Sequence, residues 1–379
     1  MTLTEPTAAG KTNLTWDWGT AYELFISLMV LHQPETYGLR ASWAAGIRSR
    51  IPPLERKLLE EVLPFLGIPL TWLYRLTAPK DALSVLWALR QIPPAERMKT
   101  IFEIEKWEDP NIQRLLQISE RRAWDEADFK AISPVLCKEE KAGRSPEAVK
   151  KFLDWWAQPE VFGETYLAAL QAYQQVFFAD EEKRVAPILQ AGLEQARELA
   201  QTLSFTDLLA ELSQGVQVEP VAGSEVILIP AYWITPLLMH AEICENEQTT
   251  YIYLFGVRPG TMSIIPGEIV PDGLLRTLKA LADPTRLKIL SYLAKEELTP
   301  SELARRLNLR PPTVTHHLTE LRLAGLVNLT IRGQEKLYTT RREALPGAFD
   351  NLEMFLDRAG NGLSQSLDEG MKKLEEKLG

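Results

Sequence analysis

Between residues 299 and 325 the chain carries two proline-marked helix starts separated by only a few residues, and this constrains the fold more than any other feature. Thr299-Pro300-Ser301-Glu302 is a capping box with proline at the first helical position, which predicts a helix to about Leu307. Asn308-Leu309-Arg310 is a tight polar turn, and Pro311-Pro312 opens a second helix that runs to Ala324 and stops at Gly325. Leu303, Val314, Leu318 and Leu321 are spaced to pack together, so the pair is predicted to be a helix-turn-helix. Upstream, Leu274, Leu275, Leu278 and Leu281 form one apolar helical stripe. Asp283-Pro284 then starts a further helix whose Leu287, Ile289, Leu290 and Leu293 continue the core. Downstream, 327–331 and 336–340 read as two strands around a turn containing Gly333, the pattern of a wing.

On the second helix Val314, Leu318 and Leu321 share the core face, while Pro312, Thr313, Thr315, His316, Thr319 and Arg322 fall around the other sides. Short hydroxyls and an imidazole near the start of such a helix can reach base edges or phosphates in a major groove, and the helix N-terminus adds a potential favourable to phosphate. Arg310 precedes this helix, and Arg332 and Lys336 flank the wing turn, where a wing would meet backbone phosphate. The whole chain has a net charge of −9, which argues against nucleic acid until it is divided. Residues 273–345 hold thirteen Lys/Arg and seven Asp/Glu, a balance of +6, and the rest of the chain carries −15. Attraction to phosphate depends on the field near the docking face, because salt screens charges beyond about 8–10 Å. A basic module on an acidic body fits nucleic-acid binding.

The stretches ALADPTRLKIL and SELARRLNLRPPTVTHHLTELRLAGLV, followed by a hairpin ending in LYTT, closely resemble the ArsR/SmtB winged-helix repressors over about 70–75 residues. That resemblance implies a homodimer that binds an imperfect palindrome in double-stranded DNA and releases it when an inducer binds. It implies that Thr313, Thr315 and His316 read bases or nearby phosphates, that His317 helps fix the recognition helix, and that Arg332 acts in the wing. It also implies dimerisation through Leu274–Leu281 and helices after residue 345. Metal-sensing members carry cysteines in the short helix where this chain has LTPSEL, so a soft-metal site there is excluded for want of thiolates.

The rest of the chain reads as α+β, mainly α: a helical N-terminal domain with a small β-sheet, followed by the C-terminal winged helix. Residues 1–213 are predicted mainly helical, from apolar recurrences at three and four residues in Ala21–Leu31, Leu54–Leu66, Asp81–Leu89 and Pro146–Trp156. Residues 214–270 are a β-rich part closing that domain, with VQVEPV, SEVILIPAYW, TTYIYLFGV and TMSIIP as strands and a short helix expected at Pro236–Cys244. Residues 271–345 are the winged helix, and 346–379 a helical tail available for dimerisation. The strands VILIP and YIYLFGV resemble an uncharacterised domain found ahead of such winged helices in some bacterial regulators, which implies no known ligand. All ten tryptophans precede residue 234. They either fill a helical core or line an aromatic pocket, the usual form of a small-ligand site.

These observations point to a sequence-specific DNA-binding transcriptional regulator, a repressor, with an N-terminal sensing or interaction domain that holds an inducer. The alternatives are a winged helix that binds protein, since fold does not dictate function, and an N-terminal enzyme tethered to a DNA-binding domain. The enzyme reading lacks a phosphate loop, a nucleophile elbow and a dinucleotide fingerprint. No catalytic residue, cofactor or metal is expected: His240 and Cys244, at i and i+4, are too few ligands for a metal. Cys137 and Cys244 are expected as buried free thiols, and the run Phe25–Leu31 is far short of the ~20 residues a bilayer requires, so the protein is expected in the cytoplasm with no membrane partner.

Overall fold

A computed structural model describes residues 13–104, 107–137, 144–213, 215–217, 225–245, 248–332, 335–342 and 344–357. The chain is mainly helical, with two small sheets among the described residues, and divides into two compact units. The first comprises residues 1–199 and 221–257, the second 200–220 and 258–379.

The first unit begins with β1 (Asn13–Trp16) and α1 (Thr20–His32), followed by α2 (Ala41–Arg48), α3 (Pro53–Val62), α4 (Leu70–Arg75), α5 (Ala82–Gln91) and α6 (Pro94–Phe102). Next come α7 (Pro110–Arg121), α8 (Glu126–Leu136), α9 (Pro146–Trp156), α10 (Pro159–Tyr173), a π-helical turn Gln174–Phe178 and α11 (Ala179–Leu199). Local chemistry sets several of these starts. The Asp81 carboxylate accepts the Ser84 N–H at 2.7 Å, the Ser145 hydroxyl accepts that of Ala148 at 3.2 Å, and Asp125 and Asp128 form a capping box. Helix α1 is apolar nearly all round, and eleven of its thirteen residues are buried, so it is a central element.

The sheet of this unit has the order β1-β3-β5-β4. Strand β3 (Glu225–Ala231) lies parallel to β1 and to β5 (Gln248–Gly256), and β4 (Leu238–Glu245) pairs antiparallel with β5. Six consecutive residues of β3 are buried, the signature of a strand covered on both faces. Residues 236–244, expected as a short helix, therefore include most of a strand. The reason is visible in burial, which alternates with period two: His240 and Glu242 are exposed, and Ile243 is buried. His240 and Cys244 thus lie four strand residues apart, about 13 Å, rather than on one helical turn. Strand β1 was not anticipated; four residues are too few to display an alternation, and its partner lies 212 positions away.

The second unit holds α12 (Phe205–Leu212), β2 (Val216–Gln217), α13 (Asp272–Leu281), α14 (Pro284–Leu293), α15 (Pro300–Leu307), α16 (Pro311–Leu323), β6 (Val327–Arg332) and β7 (Glu335–Thr340), with a helical run over 344–357. Strand β2 pairs parallel with β6, giving a three-stranded sheet β2-β6-β7. The VQ pair expected to close the N-terminal sheet instead extends the wing sheet. Gly215, at φ +107°, makes the entry to β2 possible, and its carbonyl accepts the Leu329 N–H at 2.9 Å. The expected strand TMSIIP is a series of turns: the Ile264 N–H is taken by the Asp272 carboxylate at 2.6 Å instead of by a ladder partner. Residues 358–379, expected as part of a helical tail, lie outside the described residues, as does the Gly333 turn.

Candidate nucleic-acid interface

The helix-turn-helix is built from local hydrogen bonds. The Thr299 hydroxyl accepts the Glu302 N–H at 3.3 Å, and the Glu302 carboxylate accepts the Thr299 N–H at 2.8 Å. That backbone donor, with the Thr299 hydroxyl, holds the Glu302 carboxyl below its ordinary range. Asn308 closes α15 in the left-handed conformation (φ 55°, ψ 45°), one of the few side chains that tolerates it, and this turns the chain into α16 within two residues. At the far end Gly325 (φ 68°) lets the Leu326 N–H return to the Leu321 carbonyl at 2.9 Å.

Val314, Leu318 and Leu321 are buried with Leu303, Ile289, Leu293, Leu326 and Tyr338 in one core. Their burial fixes the rotation of α16, leaving Arg310, Thr313, Thr315, His316 and Thr319 exposed as one continuous face. The Thr315 hydroxyl donates to the Pro311 carbonyl at 3.0 Å and the Thr319 hydroxyl to the Thr315 carbonyl at 2.9 Å. With their hydrogens committed inward, both oxygens offer lone pairs outward, as acceptors.

Four predicted residues sit differently. His317 is half-buried, with its Nδ1 sealed from solvent and unpartnered among the described residues, close enough to Asp283 to help hold that carboxyl low. The larger cause at Asp283 is the backbone N–H of Arg286, because Asp283 caps α14. Arg322 is half-buried at the end of α16, where its charge acts on the buried phenol of Tyr338. Lys336 is exposed on β7, whereas Arg332 closes β6 and its side chain lies outside the described residues.

One expectation changes. The start of α16 presents few backbone donors: Pro311 and Pro312 have none, and the Thr313 N–H is already bonded to the Arg310 carbonyl at 3.0 Å. Any affinity for phosphate there rests on side chains and the helix dipole, not on a cradle of amides. Two further residues, Arg286 and Thr277, build the frame. Arg286 donates to the carbonyls of Ala280 (3.1 Å) and Lys279 (2.8 Å), closing α13, and the Thr277 hydroxyl donates to that of Ala324 at 3.2 Å, joining α13 to α16. The arginine of the DPTR stretch was the available signal. Among the described residues no group of three or more His, Cys, Asp or Glu is placed to hold a metal, and no helix is long and apolar enough to cross a membrane. Cys137 is a free thiol but only half-buried.

Comparison with known proteins bears on this unit. Residues 281–330 match the model of a helix-turn-helix domain family. The chain is 31% identical to the transcriptional repressor SdpR of Bacillus subtilis over 85 residues, 22% of this chain and 94% of that protein. It is 38% identical to the HTH-type transcriptional regulator CmtR of Mycobacterium tuberculosis over 85 residues, 22% of this chain and 72% of that one. A crystal structure of an ArsR family transcriptional regulator aligns at 26% identity and a TM-score of 0.21, covering 25% of this chain and 94% of its own. The helix pair, the short turn and the two-stranded wing define a winged helix-turn-helix regulator. The chain belongs to the ArsR/SmtB family of transcriptional regulators. Each of these likenesses covers a quarter of the chain or less.

Proposed function

We propose that the protein is a homodimeric repressor that binds a palindromic operator in the cytoplasm, and that its first unit receives the signal, a small-molecule inducer, that releases it. The observation that carries this is the exposed face of α16. Arg310, Thr313, Thr315, His316 and Thr319 are open to solvent on a helix whose opposite face is locked into a core. The outward lone pairs of Thr315 and Thr319 suit the amino groups of adenine or cytosine in a major groove. His317 and Arg322 act as supports for the helix, and Arg332 and Lys336 meet backbone phosphate. Leu275, Leu278 and Leu287 leave apolar area uncovered on α13 and α14, which supports a second copy there. Two-fold symmetry would then set the recognition helices about 34 Å apart.

The test is binding to the protein's own upstream promoter at two salt concentrations. Specific binding that weakens as salt rises is expected. Replacing Thr313, Thr315 and His316 together by alanine is expected to cost sequence preference by roughly 100-fold or more, at about 1–3 kcal/mol per base contact, with the fold intact by circular dichroism. Unchanged operator affinity in that variant would hand this face to a protein partner. Sedimentation at micromolar concentration checks the dimer, and a monomer there counts against it.

A further inference from the structure

The tryptophans of the first unit run from fully buried to widely exposed. Trp156 and Trp233 are at most 1% exposed and belong to the core, whereas Trp87 is 66% exposed on α5. Trp87 sits beside Leu83 and Arg90 on the open face of α5, and across a cleft from them stand Gln171 of α10 and Gln174 and Gln175 of the π-helical turn. Extra-residue turns of this kind inside long helices recur at functional sites. Here the turn directs Phe178 into the core, leaves Phe177 packed against Trp43 and Trp233, and keeps Gln174 and Gln175 on the cleft.

None of the three amide side chains has a hydrogen-bond partner among the described residues, and the Arg90 guanidinium has no carboxylate partner there. The cleft therefore combines four elements: one flat aromatic face, an apolar neighbour, three amides and one cation. Each amide supplies a carbonyl acceptor and two N–H donors, which suits hydroxyls that both donate and accept. An indole face suits the apolar C–H face of a sugar ring. With no acid among these lining residues, the single charge selects an anion, and a guanidinium grips phosphate or carboxylate through paired donors.

We propose that this cleft binds an anionic sugar, a pyranose bearing a phosphate or a carboxylate. The proposal rests on the reading of the first unit as the sensing part, and names the site and the chemical class of its signal. The test uses the full chain and ligand-observed saturation-transfer NMR with a hexose phosphate, glucuronate, glucose and adenosine monophosphate. Transfer from the hexose phosphate or glucuronate is expected, with glucose weaker. Arg90→Ala is expected to weaken the anionic sugar by roughly tenfold or more, and Trp87→Ala to do the same for both charged and neutral sugars. Gln174→Ala gives a milder variant that leaves the aromatic face in place and is expected to weaken both classes.

Transfer from neither anionic sugar, transfer from the nucleotide alone, or binding that survives both Trp87→Ala and Arg90→Ala overturns the proposal. So does a fall in oligomeric mass on Trp87→Ala, which would make this face a protein contact. Operator binding measured on the same preparations keeps the two readings apart. A protein that binds its operator but no sugar removes the site and leaves the repressor standing.

Discussion

The buried charges at the centre of the first unit and the recognition helix of the second place their polar groups in opposite directions. At the centre of the first unit, four charged groups are drawn inward and held by partners of the same unit. Glu23, with no solvent exposure, accepts the backbone N–H groups of Tyr232 and Trp233. Arg97, 3% exposed, donates to the carbonyls of Leu89, Ile92 and Gly163 at 2.9–3.0 Å. Asp128 is buried between Arg114 and Arg121, and Glu181 holds Arg184 and the Trp233 indole N–H. In the second, the core of α14, α15 and α16 is almost wholly aliphatic, and the polar residues of the recognition helix face solvent with their outer valences open. A buried charge whose hydrogen bonds are all taken by its own chain is architecture. An exposed row held in one orientation by the core behind it is a surface prepared for something else.

The sharpest way to test that contrast is to remove an inward charge. Glu23→Ala strands two buried backbone donors, a loss of about 3–5 kcal/mol, read as a lower denaturant midpoint. Operator affinity per folded molecule is expected to stay unchanged. A variant of normal stability with altered operator affinity would break the comparison, since Glu23 would then be part of the signalling path.

The second test is pH. His32 closes α1 with its Nδ1–H donating to the Leu28 carbonyl at 2.8 Å, while its Nε2 is buried without a partner among the described residues. Burial, with a smaller push from the Arg48 charge, lowers its pKa from 6.5 to about 4. As pH falls the unfolded chain therefore takes up this proton before the folded one does. Stability is full above pH 6.5 and is lost progressively down to about pH 4, by about 3 kcal/mol in total. His32→Phe is expected to flatten this part of the stability–pH curve, measured by denaturation at several pH values. An unchanged curve would mean that another group controls the acid limb.

How far these roles could be read from the sequence depends on the distance between partners. The helix-turn-helix was legible because every signal in it is local: Thr299 with Glu302, Asn308 at the turn, Pro311 and Gly325 at the ends of one helix. Its outward face followed from Val314, Leu318 and Leu321 alone, because a helix with one face buried has its other faces determined. Glu23 gave no such signal. In the string AYELFISL it is an acid in an apolar helix, and its partners lie 209 and 210 residues away. The same distance hid β1, and β2 was assigned to the wrong sheet because a two-residue strand shows no pattern that names its partner. The tryptophans were undecidable for a related reason: spacing says that Trp87 and Trp156 are on helices, and only packing says that one is exposed and the other is not.

The smallest expected effect comes from the outward charges, and it is the one that separates positioning from reading. Arg310 precedes α16 and Lys336 lies on the wing strand, both exposed and, among the described residues, without a carboxylate partner. If each meets a backbone phosphate, Arg310→Ala and Lys336→Ala lower affinity by less than about 1 kcal/mol each, alike for operator and unrelated DNA. Each is also expected to reduce the slope of log affinity against log salt by about 0.9, the counterion release of one phosphate contact in duplex DNA. Stability should not move, in contrast to Glu23→Ala. Fluorescence anisotropy at four salt concentrations on two DNA sequences resolves this. A variant that loses operator affinity while keeping its salt slope would place that side chain at a base edge and move it from the supporting frame of the interface into its code.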